Sequence, residues 1–184
     1  MLAGFGLRVS NLGAESLSED ELNKLQTITE YREKGLTGRN GEHPFLMKGL
    51  QFISVSISEK LNNSVFASNQ ISDEAALRFP TALFGTFTAL LIFLLLNEFF
   101  GSSIALIAAA LWAFDPSAIG FDRIAKEDSF LLFFFLLANV FWIRGQTVSE
   151  RGKDFLKYVL LTAVAFGAML ASKYLIHLLF IGLA

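Results

Sequence analysis

Cysteine is absent from this sequence and charged residues are scarce, and each shortage excludes a class of protein. Without cysteine the chain has neither disulfides nor thiolate metal sites. Charged residues make up 17% of the 184 positions, whereas soluble domains usually carry about 25%. The net charge of −2 includes no basic excess, so we expect no nucleic-acid partner. A chain this poor in polar residues is typical of integral membrane proteins.

The hydrophobic residues amount to 53% of the sequence, include 20 Phe, and are unevenly distributed. Residues 1–78 contain eight Lys or Arg and ten Asp or Glu, whereas the remaining 106 residues contain seven of each kind. This asymmetry predicts two regions. We expect residues 1–78 to form an aqueous or interfacial region outside the cytoplasm, and residues 79–184 to form a transmembrane helix bundle.

Uncharged segments in the second region predict the membrane spans. The first is the eighteen-residue run 79–96, followed by a turn at 97–103 in which Gly101 breaks the helix. Further segments cover 102 to about 116, 129–143 and 158–172, and another begins at 174. Three of these cores have only 13–15 residues, so they need flanking residues to cross a bilayer that requires about 20. The prediction is an all-α membrane bundle with about four complete spans and a truncated fifth.

A charged stretch, DPSAIGFDRIAKED at 115–128, separates two of these apolar segments. It has four acidic and two basic residues, which suits a link between spanning helices at a water-facing surface. Charges at such a boundary are functional candidates by default. We therefore expect the rest of the chain to position this stretch or to supply its chemical partners.

Two helices are predicted within residues 1–78. Ser18 and Glu21 have the spacing of a capping box, which begins a helix of about four turns with a narrow apolar stripe from Leu22 to Tyr31. The segment 45–58 is amphipathic but too short to span, so we expect it to lie in the membrane interface. The positive-inside rule slightly favours an extracytoplasmic position for 115–128. The stretches around Asp20, around His43 and at 115–128 should then meet on that face.

Five motifs resemble a known family of membrane enzymes. NGEHPFLMK resembles the HPPLGK-type signature of protein O-mannosyltransferases, with Phe45 in place of the second proline. SEDE resembles the Asp-Glu pair that precedes it, and ALRFPTALFG resembles an Arg-Leu-Pro-Ser segment. DPSAIGFDRIAKED matches a Pro…Arg-(four residues)-Asp loop at Pro116, Arg123 and Asp128, and GAMLASKYLIHLL resembles a later Ser/Thr-Lys-Tyr span. Together they resemble GT-C glycosyltransferases of the protein O-mannosyltransferase and aminoarabinose transferase kind.

The resemblance implies a GT-C-type helical bundle with an external first loop, embedded in the membrane (the plasma membrane in a prokaryote). It also implies transfer of a sugar from a polyprenyl-phosphate donor to a hydroxyl of a protein or lipid, with inversion at the anomeric carbon. Family members have a span before the first loop and many more after the fifth. We therefore expect this sequence to be an N-terminal fragment, inactive by itself.

Carried over onto this sequence, the family roles fall on eight residues. Asp20 is the candidate general base, and Glu21 and Asp128 would position the acceptor or tune that base. The candidate partners of the donor phosphate are the four residues His43, Lys48, Arg78 and Arg123. In aminoarabinose transferases a carboxylate before the proline motif helps to hold a metal. Glu42 matches it, although His43 replaces their lysine, so a divalent metal is a candidate cofactor.

Other interpretations of the same residues stay open at this point. Asp20 and Glu21 could simply stabilise a helix N-terminus, and Arg123 with Asp128 could be an interfacial ion pair. Four further residues are expected to have no chemical role, namely Lys173 at a helix end, His177 within the bundle, and Lys126 together with Glu127 in solvent. The rival function is a transporter or scaffold subunit. A transporter would place ionisable groups near the membrane midplane, whereas most charges here lie at the ends of spans.

Overall fold

The structure is a computed structural model that describes residues 1–36, 38–41, 43–64, 70–148 and 155–174, together with the backbone of 149–150. In this part of the chain all regular structure is helical, which confirms the predicted all-α class. The helices are α1 (Leu2–Val9), α2 (Glu19–Lys34), α3 (Phe45–Asn62), α4 (Asp73–Phe114), α5 (Pro116–Asp122), α6 (Asp128–Glu150) and α7 (Phe155–Ser172).

Helix α4 is a hairpin rather than one rod. Gly101 has φ 77° and ψ 169°, a backbone conformation that glycine adopts without a steric penalty. The indole nitrogen of Trp112 donates to the carbonyl oxygen of Gly85 at 3.1 Å, which requires the two arms to run antiparallel. The break predicted at Gly101 is confirmed.

Three described helices are long and apolar enough to cross a membrane: α4, residues 128–148 of α6, and α7. The two arms of α4, with α6 and α7, correspond to the four complete spans of the prediction. The first arm of α4 and helix α6 extend beyond their uncharged cores, since they begin at Asp73 and Asp128, whereas the second arm of α4 ends at Phe114, before the predicted limit near Pro116. The fifth predicted segment lies outside the described residues except for Tyr174, and so does His177.

Helix α2 begins as predicted, but its buried face coincides only in part with the expected apolar stripe. The Ser18 side chain accepts from the Glu21 backbone, and the Glu21 carboxylate accepts from the Ser18 backbone, completing the capping box. The buried residues of α2 are Glu21, Lys24, Thr27 and Ile28, whereas Leu22 of the expected apolar stripe is 46% exposed. Charged side chains face inward because each finds an opposite charge there.

Helix α3 is longer than the predicted segment 45–58, and its apolar stripe faces outward. Met47, Gln51 and Val55 are buried, while Ile53 and Ile57 are each about half exposed. Gln51 and Ser54 donate to the carbonyl oxygens of Leu77 and Ala76, which ties α3 to the start of α4. The sequence alone predicted neither these bonds nor helix α1.

The buried apolar core lies where α2, α3, the start of α4 and the α5–α6 segment meet. Its fully buried members are Ile28, Val55, Ala76, Leu77 and Ala125. Ala125 belongs to the charged stretch 115–128, so the core holds that stretch near its C-terminal end. Helix α4 precedes the stretch and helix α6 begins at its last residue, Asp128.

Candidate active site

Asp20 lies at the N-terminal end of α2, and a lysine one turn later holds one of its oxygens. Lys24 Nζ donates to Asp20 Oδ2 at 2.8 Å and to the carbonyl oxygen of Ala125 at 2.9 Å. Its third acceptor is Glu127 Oε2, at 3.4 Å, and the other oxygen of that carboxylate, Oε1, lies within ion-pair distance at 3.1 Å. The Lys24 side chain is fully buried, whereas that of Asp20 is 40% exposed. Among the described residues Asp20 Oδ1 has no hydrogen-bond partner, so it can contact a bound molecule.

Glu21, the next residue, has both oxygens engaged. Arg78 donates through Nε to Oε1 at 2.7 Å and through Nη2 to Oε2 at 2.9 Å, a bidentate pair. The backbone N–H groups of Ala125 and Ser18 each donate to the same carboxylate at 3.0 Å. Burial by itself raises the pKa of Glu21, but these hydrogen bonds outweigh it and lower the pKa from 4.5 to about 2. Glu21 is therefore ionised at neutral pH and joins α2, α4 and the segment after α5.

A second buried ion pair connects α1 with α5. Arg8 Nε donates to Asp122 Oδ2 at 2.8 Å, and Ser129 Oγ donates to Oδ1 at 2.6 Å. Other guanidinium N–H groups of Arg8 donate to the carbonyl oxygens of Ala113 and Trp112 at 3.0 and 3.3 Å. Burial raises the pKa of Asp122, in opposition to the hydrogen bonds from Ser129 and Arg8, which lower it. This cluster fastens α1 to the end of α4 and the start of α6.

Arg123 lies next to this pair and makes a different set of contacts. Its guanidinium donates to the carbonyl oxygens of Leu7, Ser10 and Asn11, at 2.9, 2.6 and 3.3 Å. No described carboxylate lies within ion-pair distance of it. The alternative in which Arg123 and Asp128 form an ion pair is therefore wrong, since Asp128 contacts Lys173 Nζ at 2.6 Å instead. Arg123 keeps a positive charge that no carboxylate of the described chain neutralises.

Three cavities adjoin one another around α5. The largest, about 1210 Å³, is mostly apolar and is lined by residues of α4, α5 and α6, with Asp122, Asp128 and Ser129 among its polar ones. The second, about 470 Å³, shares Ser117 and Phe121 with the first and has Arg78 and Arg123 in its lining. The third, about 740 Å³, shares Glu15, Arg78 and Ile124 with the second. It is lined by four carboxylates and one lysine, namely Glu15, Glu19, Asp20, Glu21 and Lys126.

The remaining predicted site residues lie at the start of α3 and α6. His43 Nδ1 is 3.2 Å from Glu127 Oε1, so the stretch around His43 joins the cluster that contains Asp20. Lys48 Nζ donates to the carbonyl oxygen of Asn40 at 2.6 Å. Asp128 and Asp20 line different cavities. Glu42 lies outside the described residues, and the described ones include no group of three or more potential His, Asp or Glu ligands for a metal.

Sequence reasoning overlooked Lys24 and misplaced Glu127. Glu127 was expected in solvent, but it is 5% exposed because Lys24 and His43 both contact its carboxylate. The i,i+4 spacing of Asp20 and Lys24 was visible in the sequence, and such pairs face each other on a helix. Arg8 gave no comparable signal, because its partner is 114 residues away.

The contacts confirm that the stretches around Asp20, around His43 and at 115–128 meet, through Lys24, Glu127 and Ala125. Apolar helices long enough to span a membrane, with a polar and partly acidic cavity near their ends, are the features of a membrane protein with a candidate site at one surface. The profile of the dolichyl-phosphate-mannose-protein mannosyltransferase family matches residues 63–184, and the chain belongs to that family. No curated protein and no solved structure matches it. The predicted family is thereby confirmed over residues 63–184, and with it membrane glycosyltransferase activity as the general function of the family.

Proposed function

We propose that this protein transfers a sugar from a polyprenyl-phosphate donor to a hydroxyl group of a protein or lipid, with inversion at the anomeric carbon. The observation that carries the proposal is the state of Asp20. One of its oxygens is held by Lys24, and the other has no described partner and borders a water-accessible cavity. A carboxylate with one fixed and one open oxygen is arranged to accept a proton from a bound hydroxyl.

In the proposed step the acceptor oxygen attacks the anomeric carbon, and its proton passes to Asp20. The new bond joins that carbon to the acceptor oxygen. The bond from the carbon to the phosphate oxygen breaks, and its electron pair leaves with the polyprenyl phosphate. Attack on the face opposite to the leaving group inverts the configuration, so no covalent enzyme intermediate is needed.

The order of the three cavities supports an assignment of the substrates. The apolar cavity of about 1210 Å³ suits the polyprenyl chain, because most of the residues that line it are apolar. The adjoining cavity contains Arg123, whose charge would stabilise the leaving phosphate. The third cavity, where Asp20 lies, would then receive the acceptor hydroxyl. This arrangement puts the base and the leaving group on opposite sides of the sugar.

The other candidate residues take supporting roles in this proposal. Glu21, as an ionised and fully bonded carboxylate, positions the N-terminus of α2 and with it Asp20. Asp128 borders the lipid cavity and would contact the sugar. Arg78, His43 and Lys48 would contribute positive potential or donors near the phosphate. Residue Glu42 remains the candidate for a metal, and the active face is proposed to be extracytoplasmic.

Turnover of Asp20→Asn and Asp128→Asn in the full-length protein tests the proposal. The assay measures transfer of labelled mannose from dolichyl phosphate mannose to a peptide containing Ser and Thr, at matched folded fraction. General-base catalysis is typically worth about 10²–10⁴-fold, so we expect Asp20→Asn to lose that much and Asp128→Asn to lose less. Asp73→Asn, at an exposed first-turn acid of α4, is the matched control. Turnover of Asp20→Asn close to wild type would show that Asp20 only caps its helix.

A further inference from the structure

The ammonium group of Lys24 has an acceptor for each of its three N–H bonds. Asp20 Oδ2 lies 2.8 Å away, the carbonyl oxygen of Ala125 2.9 Å, and Glu127 Oε2 3.4 Å. An ammonium has three donors and no acceptor, so these contacts saturate it. The Lys24 side chain is fully buried beneath the α5–α6 segment. Its position is therefore determined by three fixed groups, two of which lie outside α2.

We propose that Lys24 is a positioning residue for sugar transfer, which fixes the Asp20 carboxylate so that its second oxygen meets the acceptor hydroxyl. This inference deepens the proposed function and rests on Asp20 being the base. Lys24 does not touch the substrate; it acts by holding Asp20 Oδ2 and thereby setting the rotation of the carboxylate. Glu127 and Ala125 hold Lys24 in turn, and Glu127 also contacts His43 at the start of α3.

The burial pattern favours this role over a purely structural one. Removing an ammonium from water is costly, and an apolar side chain of similar volume often stabilises a fold at least as well as a buried ion pair. At this position the charged residue contacts a carboxylate that is 40% exposed and borders the acceptor cavity. What the Lys24–Asp20 ion pair provides, and an apolar side chain would not, is a fixed orientation of the Asp20 carboxylate. A lysine elsewhere on the same helix, Lys34, is exposed at the C-terminal end of α2.

The test compares Lys24→Met with Lys34→Met in the full-length protein. Transfer is measured from dolichyl phosphate mannose to a peptide containing Ser and Thr, and rates are expressed per folded molecule. A misplacement of about 1 Å costs about 10²-fold in rate, so we expect kcat of Lys24→Met to fall by about that factor while the KM for the donor is unchanged. Lys34→Met should behave as wild type. Unchanged kcat in folded Lys24→Met would overturn the inference.

A double-mutant cycle with Asp20→Asn separates positioning from other effects. If Lys24 acts only through Asp20, then Lys24→Met causes no further loss of kcat in the Asp20→Asn background. Fully additive losses would overturn the inference. Lys24→Met removes one of the positive partners of the buried Glu127 carboxylate. If this single variant fails to fold, the cycle is repeated in a Glu127→Gln background, where the buried negative charge is absent. The same non-additivity is expected there, and additivity there also overturns the inference.

The outcomes distinguish failure of the inference from failure of the proposed function. An inactive Asp20→Asn together with a fully active Lys24→Met refutes the positioning role alone. Near wild-type turnover in Asp20→Asn refutes the base and the positioning role together. A wild-type protein that transfers no sugar from polyprenyl-phosphate donors has the same consequence for both.

Discussion

The Asp122 carboxylate lies directly against the backbone of Gly85, on the first arm of α4. A Cβ atom at Gly85 would come within 2.0 Å of Asp122 Cγ and within 2.1 Å of Oδ2. The carboxylate cannot easily retreat, because Arg8 holds Oδ2 and Ser129 holds Oδ1. The absence of a side chain at Gly85 is thus a condition for burying the ion pair that fastens α1.

Gly85→Ala should therefore destabilise the protein by about 3 kcal/mol or more. Overpacking alone costs about 1–3 kcal/mol, and displacing one member of a buried ion pair costs about 3–5 kcal/mol. The measurement is thermal or denaturant unfolding in detergent, followed by circular dichroism. Gly167→Ala on α7 is the control, since nothing lies within 4 Å of its would-be Cβ and alanine is the better helix former. Equal stability of the two variants would contradict this explanation of Gly85.

The spans and the start of α2 could be predicted because their signals are local. Hydropathy identifies long apolar segments, and the residues of a capping box are only three positions apart. Helix α1 has no such signal, since LAGFGLRV is short and contains two glycines. It is held by Arg8, whose partner Asp122 is 114 residues away. Contacts at that separation cannot be predicted from one sequence.

Part of the site could also be predicted, because some of its residues lie in recognisable motifs. Motif resemblance pointed to Asp20, Glu21 and Arg78, and the last two form a bidentate pair. The buried face of α2 was expected to follow the stripe Leu22, Leu25, Ile28 and Tyr31, because apolar periodicity is the usual guide to burial, but of these four only Ile28 is buried. Lys24 is buried instead, since it meets Glu127 and a carbonyl oxygen of the 115–128 stretch. Burial driven by complementary charges leaves no apolar pattern in the sequence.

The Glu21–Arg78 pair should make stability depend on pH in a defined range. The pKa of Glu21 is 4.5 in an ordinary environment and about 2 in the fold. Because the folded pKa is the lower one, the pair contributes fully above about pH 4.5, and the contribution is lost as the pH falls towards 2. We expect Tm in detergent to be lower for Glu21→Gln than for wild type at pH 7, and the difference to shrink between pH 4.5 and pH 3.

A neighbouring acid gives the matched control for that pH dependence. Glu19 lies in the same first turn of α2 with an exposed side chain. Glu19→Gln should change Tm by no more than a few degrees and follow the wild-type profile, since surface charge changes are usually worth less than about 0.5 kcal/mol. A constant difference between Glu21→Gln and wild type down to pH 3 would mean that the Arg78 pair does not depress the pKa of Glu21.

The topology prediction concerns the face on which the site opens. Glu127 contacts both Lys24 and His43, so the ends of α2, α3 and α5 lie at one end of the bundle. Because the sequence has no cysteine, single cysteines can be introduced without background labelling. Exposed positions near the three stretches are Ala14, Gly38 and Ser117. If this end is extracytoplasmic, Ala14→Cys, Gly38→Cys and Ser117→Cys should react with an impermeant maleimide added to intact cells.

Gln146→Cys is the control on the opposite side of the membrane. Gln146 is exposed near the far end of α6, one crossing away from the 115–128 stretch. It should react only after the cells are opened, with labelling detected by a mass shift on a gel. The positive charges of the two faces are nearly balanced, so labelling decides where the positive-inside rule does not. Reaction of Gln146→Cys in intact cells, with Ser117→Cys protected, would invert the topology and put the site in the cytoplasm.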